Sequence, residues 1–99
     1  MDQGQVIEKL NRYKLLVCNH FDIQSLILFG SYAKGVQTEE SDIDVAIVVN
    51  SINSDYFTYA PLLWKLRREI DDRIEPILIE KNNDKGGFLD QISQYGLLI

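Results

Sequence analysis

Cysteine, proline and long apolar runs are scarce in this chain, and each scarcity excludes a class of protein. The 99 residues include one cysteine, Cys18, so an internal disulfide cannot stabilise the fold. No apolar run approaches the roughly 20 residues that span a bilayer, and the N-terminus lacks the basic-then-apolar pattern of a secretion signal. With two prolines and no low-complexity linker, we expect one cytoplasmic domain over residues 1–99 and no membrane partner.

Positive charge is also in short supply. Ten Lys and Arg stand against fifteen Asp and Glu, which gives a net charge of −5. Such a surface repels a phosphate backbone, so free nucleic acid is not expected as the main partner. The 45% hydrophobic and 25% charged composition describes one small globular domain. Because this length leaves no room for a separate substrate-binding domain, we expect a partner to hold much of the acceptor substrate.

Hydrophobic spacing predicts alternating helices and strands. In chain order we expect a helix over 4–19, strands over 25–29 and 42–49, a helix over 57–72, a strand over 74–79, and a last helix beginning near 88. Pro61 is predicted in the first turn of its helix. Pro76 indicates that its strand either lies at an edge of the sheet or starts near the proline. The order predicts an α/β (α+β) fold in which a small mixed β-sheet packs with helices.

One group of spaced residues indicates a catalytic site. Gly30-Ser31 ends the first predicted strand, and after ten residues the chain continues Asp42-Ile43-Asp44. Glycine allows a tight turn and lets a phosphate approach backbone N–H groups, and the Ser31 hydroxyl adds a donor. Asp42 and Asp44 lie two apart on a predicted strand, so their carboxylates share a face. Mg²⁺ prefers a few carboxylates completed by substrate phosphates, and paired ions suit an in-line displacement at phosphorus.

These residues resemble a known family. The motif Gly30-Ser31-x₁₀-Asp42-x-Asp44 is similar to the signature of the MNT-type minimal nucleotidyltransferases, which are relatives of the DNA polymerase β-like transferases. The local sequences Gly-Ser-Tyr-Ala-Lys-Gly and Ser-Asp-Ile-Asp-Val are similar to that family as well. The resemblance implies a polymerase β-like fold, two Mg²⁺ ions, and ATP or another NTP as substrate. Lys34 is a candidate contact for a nucleotide phosphate.

The resemblance also implies a third carboxylate on the strand that follows the long helix. Glu75, between Ile74 and Pro76, is the matching position. The family's usual residue there is aspartate, so Glu75 departs from the pattern by one methylene group. Glu80 and Asp72, at the two ends of the same segment, are alternative candidates. The resulting site is Asp42, Asp44 and Glu75 as catalytic and metal-binding residues, with Gly30, Ser31 and Lys34 binding the nucleotide.

The resemblance implies an enzyme that moves an NMP group, AMP from ATP in its most plausible form, onto a hydroxyl of a partner protein. MNT-type proteins are commonly paired with helical HEPN-domain toxins, so a role as an antitoxin is an expectation from resemblance alone. One alternative is a catalytically degenerate binding module that neutralises a toxin by contact. Another is transfer to a small molecule such as an aminoglycoside.

Several other residues have ordinary structural interpretations. The basic residues Lys65, Arg67, Arg68 and Arg73 are expected on a solvated surface, with pairs such as Arg67 and Asp71. Cys18 is expected to be a small buried hydrophobic residue. The aromatic residues Tyr13, Trp64 and Phe88 are expected in the core rather than on a base-stacking surface.

Overall fold

The computed structural model describes residues 1–20, 22–50, 56–84 and 86–99. Helices and strands alternate along the chain in the predicted order. The elements are α1 (Gln3–Cys18), β1 (Ser25–Phe29), α2 (Gly30–Lys34), β2 (Ile43–Val49), α3 (Tyr56–Leu66), a 3₁₀ turn (Arg67–Glu69), β3 (Ile74–Glu80), a second 3₁₀ turn (Lys81–Asn83), α4 (Phe88–Ser93) and β4 (Leu97–Leu98).

The four strands form one mixed sheet in the order β3-β2-β1-β4. Strand β1 pairs antiparallel with β2 and with β4, whereas β2 and β3 run parallel. The predicted α/β class with a small mixed sheet is therefore confirmed. Strand β3 lies at an edge, as Pro76 predicted, because a proline has no N–H to donate to a second neighbouring strand.

Helix α1 covers one face of the sheet and anchors the main core. Asp2 caps the helix, accepting from the Gln5 backbone N–H at 2.8 Å, while the Gln5 side chain accepts from the Asp2 N–H in return. The helix buries one stripe, consisting of Val6, Leu10, Tyr13 and Val17, at the spacing that the sequence predicted. On this face the stripe packs with alternate residues of the strands and with α3: Leu26, Leu28, Ile43, Val45, Ile47, Ile74, Leu63 and Leu66.

The opposite face of the sheet carries a smaller core. Its buried members are Ile27, Ala46, Val48, Ile79 and Ile92, with Phe29 and Leu89 packed against them. Helix α4 supplies Ile92 and Leu89 to this cluster. Because side chains alternate between the two faces of a strand, Asp44 and Glu75 project on this more thinly covered side.

The structure corrects several sequence-based expectations about α3 and its surroundings. Pro61 is the sixth residue of α3 rather than part of its first turn. Trp64 is 41% exposed and Phe88 37% exposed, so both lie outside the core, whereas Tyr13 is fully buried as predicted. The Arg67 guanidinium stacks 4.5 Å from the Trp64 ring centroid, so a cation rather than the core covers that ring. Cys18 is exposed, not buried.

Asp71 ties the start of β3 to α1 instead of pairing with Arg67. The Lys9 ammonium donates to its carboxylate at 2.7 Å, and the Arg73 backbone N–H donates at 2.8 Å. The Arg67 side chain instead donates to the backbone carbonyls of Asp72 and Ile74. Burial alone would raise the pKa of Asp71, but the hydrogen bonds and charges of Lys9 and Arg73 outweigh it and lower the pKa to about 2.

This network predicts an acid-sensitive contribution to stability. Because the pKa of Asp71 is lower in the folded chain than its ordinary value of 3.8, the contribution is complete above about pH 4 and is lost as the pH falls towards 2. We expect Asp71→Asn to cost about 1–2 kcal/mol at pH 7, measured by urea unfolding, and the difference from the parent to shrink below pH 4. Asp72→Asn, at an exposed neighbouring side chain, is the matched control. Parallel pH profiles for parent and Asp71→Asn would contradict the assignment.

No helix in the described ranges combines the length and apolar character needed to cross a bilayer.

Candidate active site

The three predicted carboxylates meet at one end of the sheet. Asp42 immediately precedes β2, Asp44 is the second residue of β2, and Glu75 is the second residue of β3. The two strands run parallel with Asp44 directly opposite Glu75, so these residues lie side by side on neighbouring strands, about 5 Å apart at the backbone. Asp44 and Glu75, which are 31 positions apart in sequence, are thereby brought together.

Gly30 closes the site from the β1 side. The antiparallel register of β1 and β2 sets Phe29 opposite Asp44, so Gly30 follows directly beside that aspartate. A Cβ atom on Gly30 would lie 2.2 Å from Oδ2 of Asp44, and the residue has φ of +72°. The missing side chain therefore does two things: it allows a left-handed backbone conformation and makes space for the Asp44 carboxylate.

The carboxylates influence one another electrostatically. Burial raises the pKa of Asp44, and the negative charge of Asp42 raises it further. Burial likewise raises the pKa of Glu75, followed by the charges of Asp42 and Asp44 and a hydrogen bond with Asp42, whereas the Arg67 guanidinium acts in the opposite direction. A bound cation would offset the repulsion that raises the pKa of Asp44 and of Glu75.

The carboxylate oxygens at this end of the sheet suit an Mg²⁺ ion whose remaining ligands come from water and substrate. Across the ranges that the structure describes, no three His, Cys, Asp or Glu side chains form a ready-made metal cluster. Asp42 is exposed and Asp44 and Glu75 are half-buried, so all three retain access to solvent on one side. Mg²⁺ characteristically takes one or two carboxylates and fills its remaining positions with water and substrate phosphates. Carboxylates at this end of the sheet match that chemistry.

The predicted nucleotide-binding residues lie on α2, next to the carboxylates. Gly30 and Ser31 begin this helix, and Lys34 is its last residue. Lys34 is exposed, and its ammonium lies 4.6 Å from the centroid of the Tyr95 ring. The backbone N–H of Gly30 donates to the Tyr95 hydroxyl at 3.4 Å. Sequence reasoning did not include Tyr95, because it lies 65 positions after Gly30 and no local pattern links the two.

The alternative third acids occupy different positions. Glu80 is the last residue of β3, opposite Val49, and therefore lies at the other end of the strand from Glu75. Asp72 is exposed in the turn before β3, where its backbone carbonyl accepts from Arg67. Of the three candidates, Glu75 is the one that lies opposite Asp44 in the sheet.

Comparison with known proteins gives consistent matches. Residues 10–99 match the family described as "Nucleotidyltransferase domain". A protein of Methanocaldococcus jannaschii with the name "Putative protein adenylyltransferase" is 34% identical over 75 residues, which is 75% of each chain. A second protein of that organism, with the same descriptive name, is 30% identical over 80 residues, covering 81% of this chain and 90% of the relative.

A solved structure shares the fold. It is described as the crystal structure of a putative nucleotidyltransferase from Sulfolobus solfataricus. The two superpose with a TM-score of 0.70 over 97% of this chain and 80% of the other, at 21% sequence identity. At that identity the likeness concerns the fold, which is the mixed sheet with helices described above.

Proposed function

Since this chain belongs to the nucleotidyltransferase domain family, we propose that it transfers AMP from ATP to a hydroxyl group of a partner protein. The observation that carries the proposal is the position of Asp42, Asp44 and Glu75 beside the Gly30–Ser31 turn. The names of the similar M. jannaschii proteins support AMP as the transferred group and a protein as the acceptor.

The proposed reaction is one displacement at phosphorus. The acceptor hydroxyl oxygen attacks the α-phosphorus of ATP, a new P–O bond forms, and the bond to the bridging oxygen breaks so that pyrophosphate leaves. Glu75, which lies opposite Asp44 on the neighbouring strand, takes up the hydroxyl proton in this proposal. The turn at Gly30 and Ser31, with Lys34, holds the β- and γ-phosphates.

Asp42, Asp44 and Glu75 are the residues that would hold Mg²⁺ in this proposal. Two bound ions would supply positive charge to the attacking and leaving oxygens. The protein's own contribution is to fix the carboxylates on two adjacent strands, so that little rearrangement is needed when substrate arrives.

The partner that we propose is a helical HEPN-domain toxin, with this chain as its antitoxin. The support is the resemblance of the Gly30-Ser31 and Asp42-x-Asp44 motifs to MNT-type proteins. The net charge of −5 agrees with a protein acceptor rather than free nucleic acid. The near absence of cysteine agrees with a cytoplasmic setting.

The deciding experiment combines the chain, a candidate HEPN partner and MgATP, and measures intact masses. We expect the partner to gain the mass of one AMP, and an unrelated protein to gain it far more slowly, because pre-assembly supplies proximity. EDTA and Asp44→Asn arms should abolish the gain. If the chain silences the partner with no mass gain in any arm, the chain acts as a binding module and the proposal is wrong.

A further inference from the structure

Tyr95 contacts the end of the first strand, although it lies far along the chain from it. Strand β4 pairs with β1 immediately after it, with Leu97 opposite Leu28. Gly96 lies between Tyr95 and β4. A Cβ atom added to Gly96 would lie 2.5 Å from the Ile92 carbonyl oxygen and 2.6 Å from Cγ2 of Ile27. The chain therefore runs in close contact with β1 at Gly96, a position where only glycine fits. This close packing fixes where Tyr95 emerges.

From that position the Tyr95 side chain contacts both ends of α2. Its hydroxyl accepts a hydrogen bond from the Gly30 N–H at 3.4 Å, and its ring lies 4.6 Å from the Lys34 ammonium. Gly30 and Lys34 are both residues to which we assign phosphate binding. Tyr95 is half-buried, so one side of it stays open to a ligand.

The chemistry of a phenol suits this place. A tyrosine hydroxyl accepts and donates at once, and here it accepts from Gly30, so its own hydrogen is left for donation. Within the ranges that the structure describes, Gly30 is the hydrogen-bond partner found for this hydroxyl. The adjacent ammonium adds positive charge that the ring face attracts and orients. A hydroxyl donor next to an oriented cation favours a phosphate oxygen.

We propose that Tyr95 is a nucleotide-binding residue. Its hydroxyl donates to a β- or γ-phosphate oxygen of the bound triphosphate, and its ring holds the Lys34 ammonium against the same phosphates. This inference rests on the proposed function, because it assigns a further residue to the same site. It makes the C-terminal segment part of the substrate-binding surface.

The test is calorimetric titration of the full chain with MgATP and, separately, with AMP. Tyr95→Phe keeps the ring and removes the hydroxyl, and we expect it to weaken MgATP binding about tenfold, the lower range for a hydrogen bond to a charged group. AMP, which lacks the β- and γ-phosphates, should bind parent and variant equally. Tyr95→Leu also removes the ring and should weaken MgATP binding further. Gln94→Ala, at an exposed neighbouring side chain, should bind like the parent.

A second comparison examines the link with Lys34. If the ring orients the ammonium, the combined loss in Tyr95→Leu/Lys34→Gln should be smaller than the product of the two single fold-changes. Thermal melts of Tyr95→Phe should match the parent, which separates a binding role from a structural one.

The outcomes distinguish the two levels of the proposal. If the parent binds no MgATP, the proposed function fails. If the parent binds MgATP while Tyr95→Phe binds it equally or more tightly, the role of Tyr95 is wrong and the proposed function stands. An equal loss of AMP and MgATP affinity in Tyr95→Phe would also overturn the assignment, because the contact would not be with the outer phosphates.

Discussion

Replacing Asp44 with asparagine is expected to lower the rate of AMP transfer by several orders of magnitude. Asparagine keeps the size of the side chain but removes one negative charge from the group of acids at the start of β2 and β3. If metal ions bound there stabilise the charge that develops at phosphorus, that stabilisation is lost almost entirely. The measurement is the rate of AMP incorporation into the partner. Asp42→Asn should behave alike, and Glu75→Gln should show an equal or smaller loss.

The folded state should survive these substitutions. The pKa of Asp44 is raised by burial and by Asp42, so its ionised form at neutral pH destabilises the folded chain in the absence of metal. Asp44→Asn should therefore melt at or slightly above the parental temperature in EDTA. Glu80→Gln, at the far end of β3, is the control and should retain parental transfer activity. A folded Asp44→Asn protein with parental activity would overturn the catalytic assignment.

Replacing Gly30 with alanine should reduce transfer by about a hundredfold or more. The new Cβ would overlap the Asp44 carboxylate at 2.2 Å, and that carboxylate is the part that can rotate away. A carboxylate displaced by about 1 Å suffices for a loss of this size. The backbone conformation at φ of +72° adds about 1–2 kcal/mol of destabilisation. Transfer rates and urea unfolding measure the two effects separately.

Gly35 offers a matched control for that experiment. It has φ of +73°, nearly the same as Gly30, yet an added Cβ there meets nothing within 4 Å. Gly35→Ala should thus show a similar loss of stability with much less loss of activity. If both variants lost activity equally, the backbone rather than the Asp44 contact would explain the effect.

Local patterns in the sequence predicted most of the architecture. The apolar stripe of α1 placed that helix at 4–19, and it extends over Gln3–Cys18. Pro76 predicted a strand that lies at an edge or starts near the proline, and β3 lies at an edge with Pro76 as its third residue. Both features follow from chemistry within one segment, namely helical periodicity and a missing N–H donor, so neither required knowledge of the neighbouring elements.

Features that depend on contacts between residues far apart in sequence were not predicted. Strand β4 spans only Leu97–Leu98, too short to show a period, and it forms because β1 has a free edge there. Phe88 packs edge-to-face on Phe29, with 5.6 Å between the ring centroids. Because this contact lies over the thinly covered side of the sheet, Phe88 stays partly exposed although it is apolar. The Lys9–Asp71 pair joins residues 62 apart in the chain.

The candidate site divides in the same way. Gly30-Ser31 and Asp42-x-Asp44 were visible as a spaced motif, because turn and strand geometry act over a few residues. The register that sets Glu75 opposite Asp44 depends on how two strands align, which no single segment specifies. The contact between Tyr95 and Gly30 is likewise a product of the folded chain.

The position of β3 at the sheet edge gives Asp44 and Glu75 unequal surroundings. Asp44 lies on an interior strand, and its carboxylate occupies the space that a side chain on Gly30 would need. Glu75 lies on β3, whose one neighbour among the strands of the described residues is β2, so its side chain is flanked by a single strand.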